Sequence, residues 1–287
     1  MAHANAADCA AGSVTVSPAP HLPFLDPLRL KPPALSPLDP AEWVEIDAAY
    51  APQMALRDRL LAEEPDRYAA LLREGADALE EMTDLITAHL ISRGYARRAG
   101  RLRRLDGVEI DLTPTPVTLG RLSQEDWLIL MPPDGTGEYR LEGGALVFPA
   151  GWSLGDKIGR PLTAVHAPVP GYAEGLAPRV NRIFAAAHPD RPLVRHNYSI
   201  GNDLLPADTP SAQHAPNSPP HLRVERQTIR RLPRTRAVIF GIKTILTPLA
   251  DLPREARAAL ADVYAAYSPE MARYRDAGAF SQAEIRG

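Results

Sequence analysis

The chain has a single cysteine, Cys9, and it sits in an Ala/Ser/Pro-rich start rather than in a patterned segment. One thiol excludes an intramolecular disulfide, a cysteine-built zinc site and an iron–sulfur cluster held by this chain alone. A metal in the core must therefore take His, Asp, Glu or Tyr. Charge of one sign is also lacking: 32 Lys and Arg against 35 Asp and Glu leave a net charge of −3, which gives no general reason to expect nucleic acid or an anionic membrane as partner. Long apolar runs are missing too. "AVIFGI", Ala237–Ile242, is far too short to span a bilayer, and the start "MAHANAADCAAGSVTVSPAP" lacks the basic and apolar regions of a secretory signal. A soluble, cytoplasmic protein is the expectation.

Aromatic residues are scarce at 6%, whereas prolines number 30, so long ordered connections are expected around a core drawn from the 45% of hydrophobic residues. Residues 1–38 have little periodicity and read as a flexible or surface-wrapping segment, followed by one domain over 39–287. Asp39-Pro40 reads as a helix start. "QMALRDRLLAEE" (Gln53–Glu64) and "ADALEEMTDLITAHLISRGY" (Ala76–Tyr95) carry apolar residues at helical spacing, with Gly94 suited to end the second. A hairpin is expected at Asp106-Gly107, and "LGRLSQEDWLILM" reads as a helix or a helix leading into a strand. "EYRLE" and "ALVFP" read as two strands joined at Gly143-Gly144. Then come a helix over Glu174–His188, a strand "PLVRHNYSIG", and a proline-rich stretch, Leu204–Leu222, without periodicity. A long hairpin turning at Pro233-Arg234-Thr235 and one final helix, "REARAALADVYAAYSPEMARYR", close the chain. Helices, then mainly antiparallel strands, then a helix predict an α+β fold.

Three features bear on chemistry. Gly151-Trp152-Ser153-Leu154-Gly155 fits the G-x-S-x-G pattern of serine hydrolases, but "LGDKIGRP" after it holds two glycines and a proline within eight residues. No long helix can follow Ser153 there, so a loop is the stronger reading. His166 lies in "HAPVPG", where Pro168 and Pro170 restrict the backbone. It fits a held metal ligand, although a core histidine bonded to a backbone carbonyl is the stronger reading of the pattern alone. The hairpin carries six arginines between Arg223 and Arg236, and neither alternating face of "HLRVERQTIRRL" is cleanly apolar. Solvated arginines on an exposed face are one reading. A polar cavity that accepts carboxylates is the other.

"FPAGWSLGDKIGRPLTAVHAPVPGY", "VRHNYSI" and "LRVERQTIRRLPRTRAVIFGIKTILTPL" together resemble the heme-binding alpha subunit of heme-dependent oxidative N-demethylases, over roughly residues 24–270. The resemblance implies a PAS-like antiparallel sheet with flanking helices and additional N- and C-terminal helices. It implies demethylation of a small secondary amine such as dimethylamine with O2, release of formaldehyde, and electrons from NADPH through FMN and iron–sulfur groups on partner reductase subunits. It implies His166 as heme iron ligand, with His196 and His221 as runners-up and His214 set aside. Arg223, Arg226 and Arg231 would pair with the heme carboxylates, and Trp152 would border the cofactor. Glu225 would be the carboxylate facing an alkylammonium, and Tyr198 or Trp152 its aromatic wall. Tyr198 stands where the family is expected to have tryptophan, which bears on substrate size. A PAS-like heme sensor or carrier without turnover is the alternative; no output domain is visible in the sequence, which favours the enzyme.

Overall fold

The computed structural model describes residues 21–27, 33–133, 137–201, 219–275 and 280–287. His214 and all but the end of the Leu204–Leu222 stretch lie outside them.

Seven strands form one antiparallel sheet in the order β1-β8-β9-β10-β6-β7-β2. Its centre is the arginine-rich hairpin, β9 (His221–Arg231) and β10 (Val238–Pro248), paired over eleven positions from Val238↔Arg231 to Pro248↔His221. β8 (Leu193–Gly201) flanks β9, and β6 (Glu125–Met131) flanks β10. Outside β6 come β7 (Arg140–Ala145) and the short edge strand β2 (Ala69–Leu71); outside β8 lies β1 (Ser36–Pro37). Counted from β6, the five long strands run second-first-fifth-fourth-third across the sheet. A small separate ribbon, β3 (Ala96–Arg98), β4 (Arg101–Arg103) and β5 (Glu109–Asp111), contains the Asp106-Gly107 turn foreseen from the sequence.

Helices cover both faces, which is why neither face of β9 reads as simply apolar or polar. On one face α3 (Ala76–Ser92) buries Leu79, Met82, Ile86 and Leu90, spaced by three and four, against Trp127, Ile129 and Ile239. Further along that face α7 (Arg254–Ala265) packs Ala256, Leu260 and Tyr264 against Ile200, Leu222 and Val224, with Phe24 from the N-terminal segment in the same cluster. The opposite face receives α5 (Leu162–Val165) and α6 (Ala177–Ala186), with a single π turn, Tyr172–Leu176, between them. α1 (Tyr50–Glu63), α2 (Pro65–Tyr68) and α4 (Pro116–Leu122) pack around the β6-β7 end. Among the described residues no helix is long and apolar enough to cross a membrane.

Several expectations are met closely. Asp39 caps a 3-10 turn, its Oδ1 accepting from Ala41 N at 2.9 Å, and "LGRLSQEDWLILM" is a helix followed by a strand. Two are corrected. "EYRLE" and "ALVFP" are not two strands joined at Gly143-Gly144: the glycines lie inside the single strand β7, which ends at Ala145. At Gly144 φ is +145° and a Cβ would collide with the Trp127 carbonyl oxygen, so the glycine serves close approach of β6 rather than a turn. The final helix is two. α7 stops at Ala265, and α8 (Pro269–Tyr274) starts afresh where Ser268 accepts from Met271 N at 3.2 Å and proline removes a backbone donor. α9 (Gln282–Arg286) follows. The break matters because it turns α8 back towards the sheet, against the cavity described next.

Candidate functional site

A cavity of about 260 Å3 lies between the sheet and the α5–α6 segment. Its floor is the alternating residues of one sheet face: Leu128 and Leu130, Phe240 and Ile242, Gln227 and Ile229, Arg195 and Asn197. Its roof includes Leu162, Val165 and His166 from α5 and the residue after it. Val180, Ile183 and Phe184 come from successive turns of α6, and Met271, Tyr274 and Arg275 from α8 and its end. The lining is mostly aliphatic and aromatic. Among the described residues its charged side chains are Arg195 and Arg275, and no carboxylate lines it.

His166 follows α5, whose four residues end as the proline-stiffened turn begins; Val169 N donates to His166 O at 2.8 Å. Its ring Nδ1 lies 2.9 Å from Leu162 O. A carbonyl only accepts, so Nδ1 carries the hydrogen, and in the neutral ring Nε2 then holds the lone pair. Burial lowers the imidazole pKa from its ordinary 6.5, chiefly by desolvating the cation, so the neutral form prevails at pH 7. The ring stacks on Tyr172 with centroids 4.3 Å apart and planes 13° from parallel. The carbonyl bond of a core histidine and the lone pair of a metal ligand are thus present in one residue, because the ring borders a cavity instead of packed side chains.

Strand alternation decides the other candidates. His196 faces away from the cavity, level with Arg226 across the pair, and stacks on His21 at 5.1 Å. Tyr198 lies on that same far face, 5.5 Å from Phe24. Tyr198 therefore does not form a wall of this cavity; Trp152, Tyr172 and Tyr274 do. His221 Nδ1 lies 2.8 Å from Pro219 O, at the start of β9.

Of the hairpin arginines, Arg223, Arg226 and Arg231 are buried, Arg230 is half-buried, and Arg234 and Arg236 near the turn are exposed; none of them lines the cavity. Arg223 Nη2 donates to Phe148 O at 2.6 Å and to Thr244 Oγ1 at 3.1 Å. Arg226 donates to Glu42 O and Trp43 O and pairs with Glu45 at 3.1 Å. Arg231 donates to Phe184 O, Ala185 O and the Tyr139 hydroxyl. Each guanidinium ties a loop or helix end to the sheet, because a central strand leaves no solvent for its long polar side chains. Glu225 is on the cavity face one layer behind the lining: Asn197 Nδ2 and Gln227 Nε2 both donate to its Oε2, at 3.2 and 2.9 Å. Asn197 Oδ1 in turn accepts from Arg275 Nη2 at 2.8 Å.

Ser153 is no nucleophile elbow here. Its hydroxyl donates to Asp156 Oδ2 at 2.7 Å within a turn, and no long helix follows. Among the described residues no group of three His, Cys, Asp or Glu could hold a metal ion. A metal bound through His166 would need its remaining ligands from a bound group.

Sequence reasoning missed Arg195, Arg275 and Tyr274, and noticed Tyr172 only as the end of a motif. Arg195 was within reach: it neighbours His196 in "VRHNYSI", and period-two alternation sends the two to opposite faces. Arg275 has no such signal, since α8 reaches the cavity only through the break at Ser268-Pro269.

A heme fits this residue set. An imidazole with a free Nε2 faces a mainly apolar space, and Arg195, whose Nε is buried without a hydrogen-bond partner, suits a carboxylate of the macrocycle. A family model described as "Haem-dependent oxidative N-demethylase, alpha subunit-like" matches residues 34–284.

Proposed function

This chain belongs to the haem-dependent oxidative N-demethylase, alpha subunit-like family, and we propose on that premise that it is the heme-binding subunit of an enzyme demethylating a small secondary amine of the dimethylamine kind. The methyl carbon leaves as formaldehyde, one atom of O2 entering it and the other leaving as water. Two electrons would come from NADPH through FMN and iron–sulfur groups on partner reductase chains, and the protein would work in the cytoplasm. The subunit designation in the family description supports a multi-chain assembly. The single cysteine supports clusters held elsewhere.

The observation that carries this reading is His166, with Nδ1 fixed by Leu162 O and the ring bordering the apolar cavity. Bound heme would supply the iron at which O2 is activated. His166 would hold that iron, and Leu162 O would keep the imidazole oriented and increase its basicity. The aliphatic floor and α6 would exclude water from the reacting amine. Trp152, Tyr172 and Tyr274 offer aromatic faces for an alkylammonium. Glu225 would set the local negative charge from behind Asn197 and Gln227, whose amides would meet the substrate directly. The strand order and the helices inserted between the second and third of the five long strands support the PAS-like reading of residues 39–287 as one heme-binding domain.

The deciding experiment is the visible spectrum of protein loaded with heme, before and after dithionite, then titrated with dimethylamine. A Soret band that moves with amine supports the assignment; no Soret band after reconstitution rejects it. Glu225→Gln is expected to keep the heme spectrum and to weaken the amine-induced shift by roughly tenfold, the scale of one lost charge-assisted contact. An unchanged titration removes Glu225 from substrate binding.

A further inference from the structure

Two buried donors beside His166 have no partner. Tyr172 lines the cavity and is only 5% exposed, and its buried hydroxyl has no hydrogen-bond partner. Arg195 lines the same cavity, and its Nε is buried without a hydrogen-bond partner. The two side chains are close enough to interact electrostatically. A buried donor left unmade is costly, and two together beside one cavity call for an acceptor with negative charge. Burial pushes the Tyr172 phenol up to about 12, so it remains a donor throughout the neutral range. The other cavity cation is already engaged through its terminal nitrogens: Arg275 Nη1 donates to Tyr198 O and Nη2 to Asn197 Oδ1, both at 2.8 Å. Glu225 acts on Arg195 electrostatically but makes no hydrogen bond to its Nε, and Glu225 Oε2 already accepts from the two amides.

We propose that the Tyr172 hydroxyl and the Arg195 guanidinium form one carboxylate seat, that it takes a propionate of the heme, and that Tyr172 thereby links this carboxylate to the imidazole on which it stacks. Arg195 is then the ion-pairing group and Tyr172 a positioning residue: its ring holds the His166 plane and its hydroxyl holds the macrocycle's edge. The seat rests on the heme reading above, but it predicts something that reading does not, a dependence of affinity on the free carboxylates.

The test titrates the full chain with hemin and with hemin dimethyl ester, following the Soret band. Both porphyrins offer the same iron to His166; only hemin offers carboxylates. The wild-type protein is expected to prefer hemin by at least roughly tenfold, the effect of one charge-assisted hydrogen bond. Tyr172→Phe, which keeps the stacked ring, and Arg195→Gln are each expected to weaken hemin binding by about that factor while leaving the diester affinity unchanged. Equal loss for both porphyrins in Tyr172→Phe would make the hydroxyl a packing group and overturn the seat. Equal wild-type affinity for the two porphyrins would overturn it with the heme assignment intact. No Soret band with either porphyrin would reject the heme reading, and the seat with it.

Discussion

In the His166→Ala protein the imidazole-ligated heme spectrum is expected to disappear and heme affinity to fall by at least roughly a hundredfold, the upper end of what even outer-shell partners contribute at metal sites. The reason is local. His166 is the one imidazole lining the cavity among the described residues, and its Nδ1 is committed to Leu162 O. Added imidazole should restore ligation, since the substitution leaves a space of the same shape. His196→Ala and His221→Ala are the controls and should leave the spectrum unchanged. His196 stacks on His21 across the sheet, and His221 is tied to Pro219 O. A wild-type spectrum in His166→Ala would move the ligand elsewhere. The same residue sets a pH dependence. Burial lowers its pKa below 6.5, so protonation competes with iron only at lower pH. A spectral titration should therefore find ligation intact as pH falls through 6.5, with loss beginning below it.

The second large effect concerns stability. Arg57 and Asp126 form a buried ion pair at 2.8 Å, with side chains 0% and 1% exposed. Arg57 also donates to the carbonyls of Gly120, Gln124 and Glu125. Asp126 accepts from Val147 N at 2.7 Å and Phe148 N at 2.9 Å. Asp126→Ala would strand a buried guanidinium and two backbone donors. The expected loss is about 3–5 kcal/mol, against a total stability of about 5–15 kcal/mol for a typical protein. Urea unfolding would measure it; a loss under about 1 kcal/mol would show that water or rearrangement rescues the charge. The exposed pair Arg67–Glu64, at 43% and 50%, is the comparison, and Glu64→Ala should cost less than about 1 kcal/mol. Stability here bears on function because the Phe148 carbonyl, held in place by Asp126, is also the acceptor for Arg223. The chain then runs on to Trp152 in the cavity wall. Heme affinity is expected to fall together with stability in Asp126→Ala.

These two residues differ in how far the sequence announced them. The motif "HAPVPG" marks His166 by its stiffness, whereas nothing in "SQEDWLILM" marks Asp126 as the partner of an arginine 69 residues earlier. The pairing exists only because α1 crosses the start of β6.

Local pattern alone determined the elements whose signal is contained in a few neighbouring residues. These are α3 from its apolar spacing, the β9-β10 hairpin from its turn, the strand β8 and the stiff turn after His166. Tertiary packing decided the rest. Gly143-Gly144 reads as a turn until β6 comes within contact of the backbone. The final helix reads as continuous until Ser268 and Pro269 turn α8 onto the cavity. The arginines of β9 read as a ligand cradle or a wet surface, and became anchors for Phe148, Trp43 and Phe184 because helices or loops cover both faces of that strand. Alternation along β8 separates Arg195 and Asn197 from His196 and Tyr198 on paper. Which pair meets the cavity depends on where α5 and α6 pack, and a one-dimensional pattern with two equivalent faces cannot encode that choice.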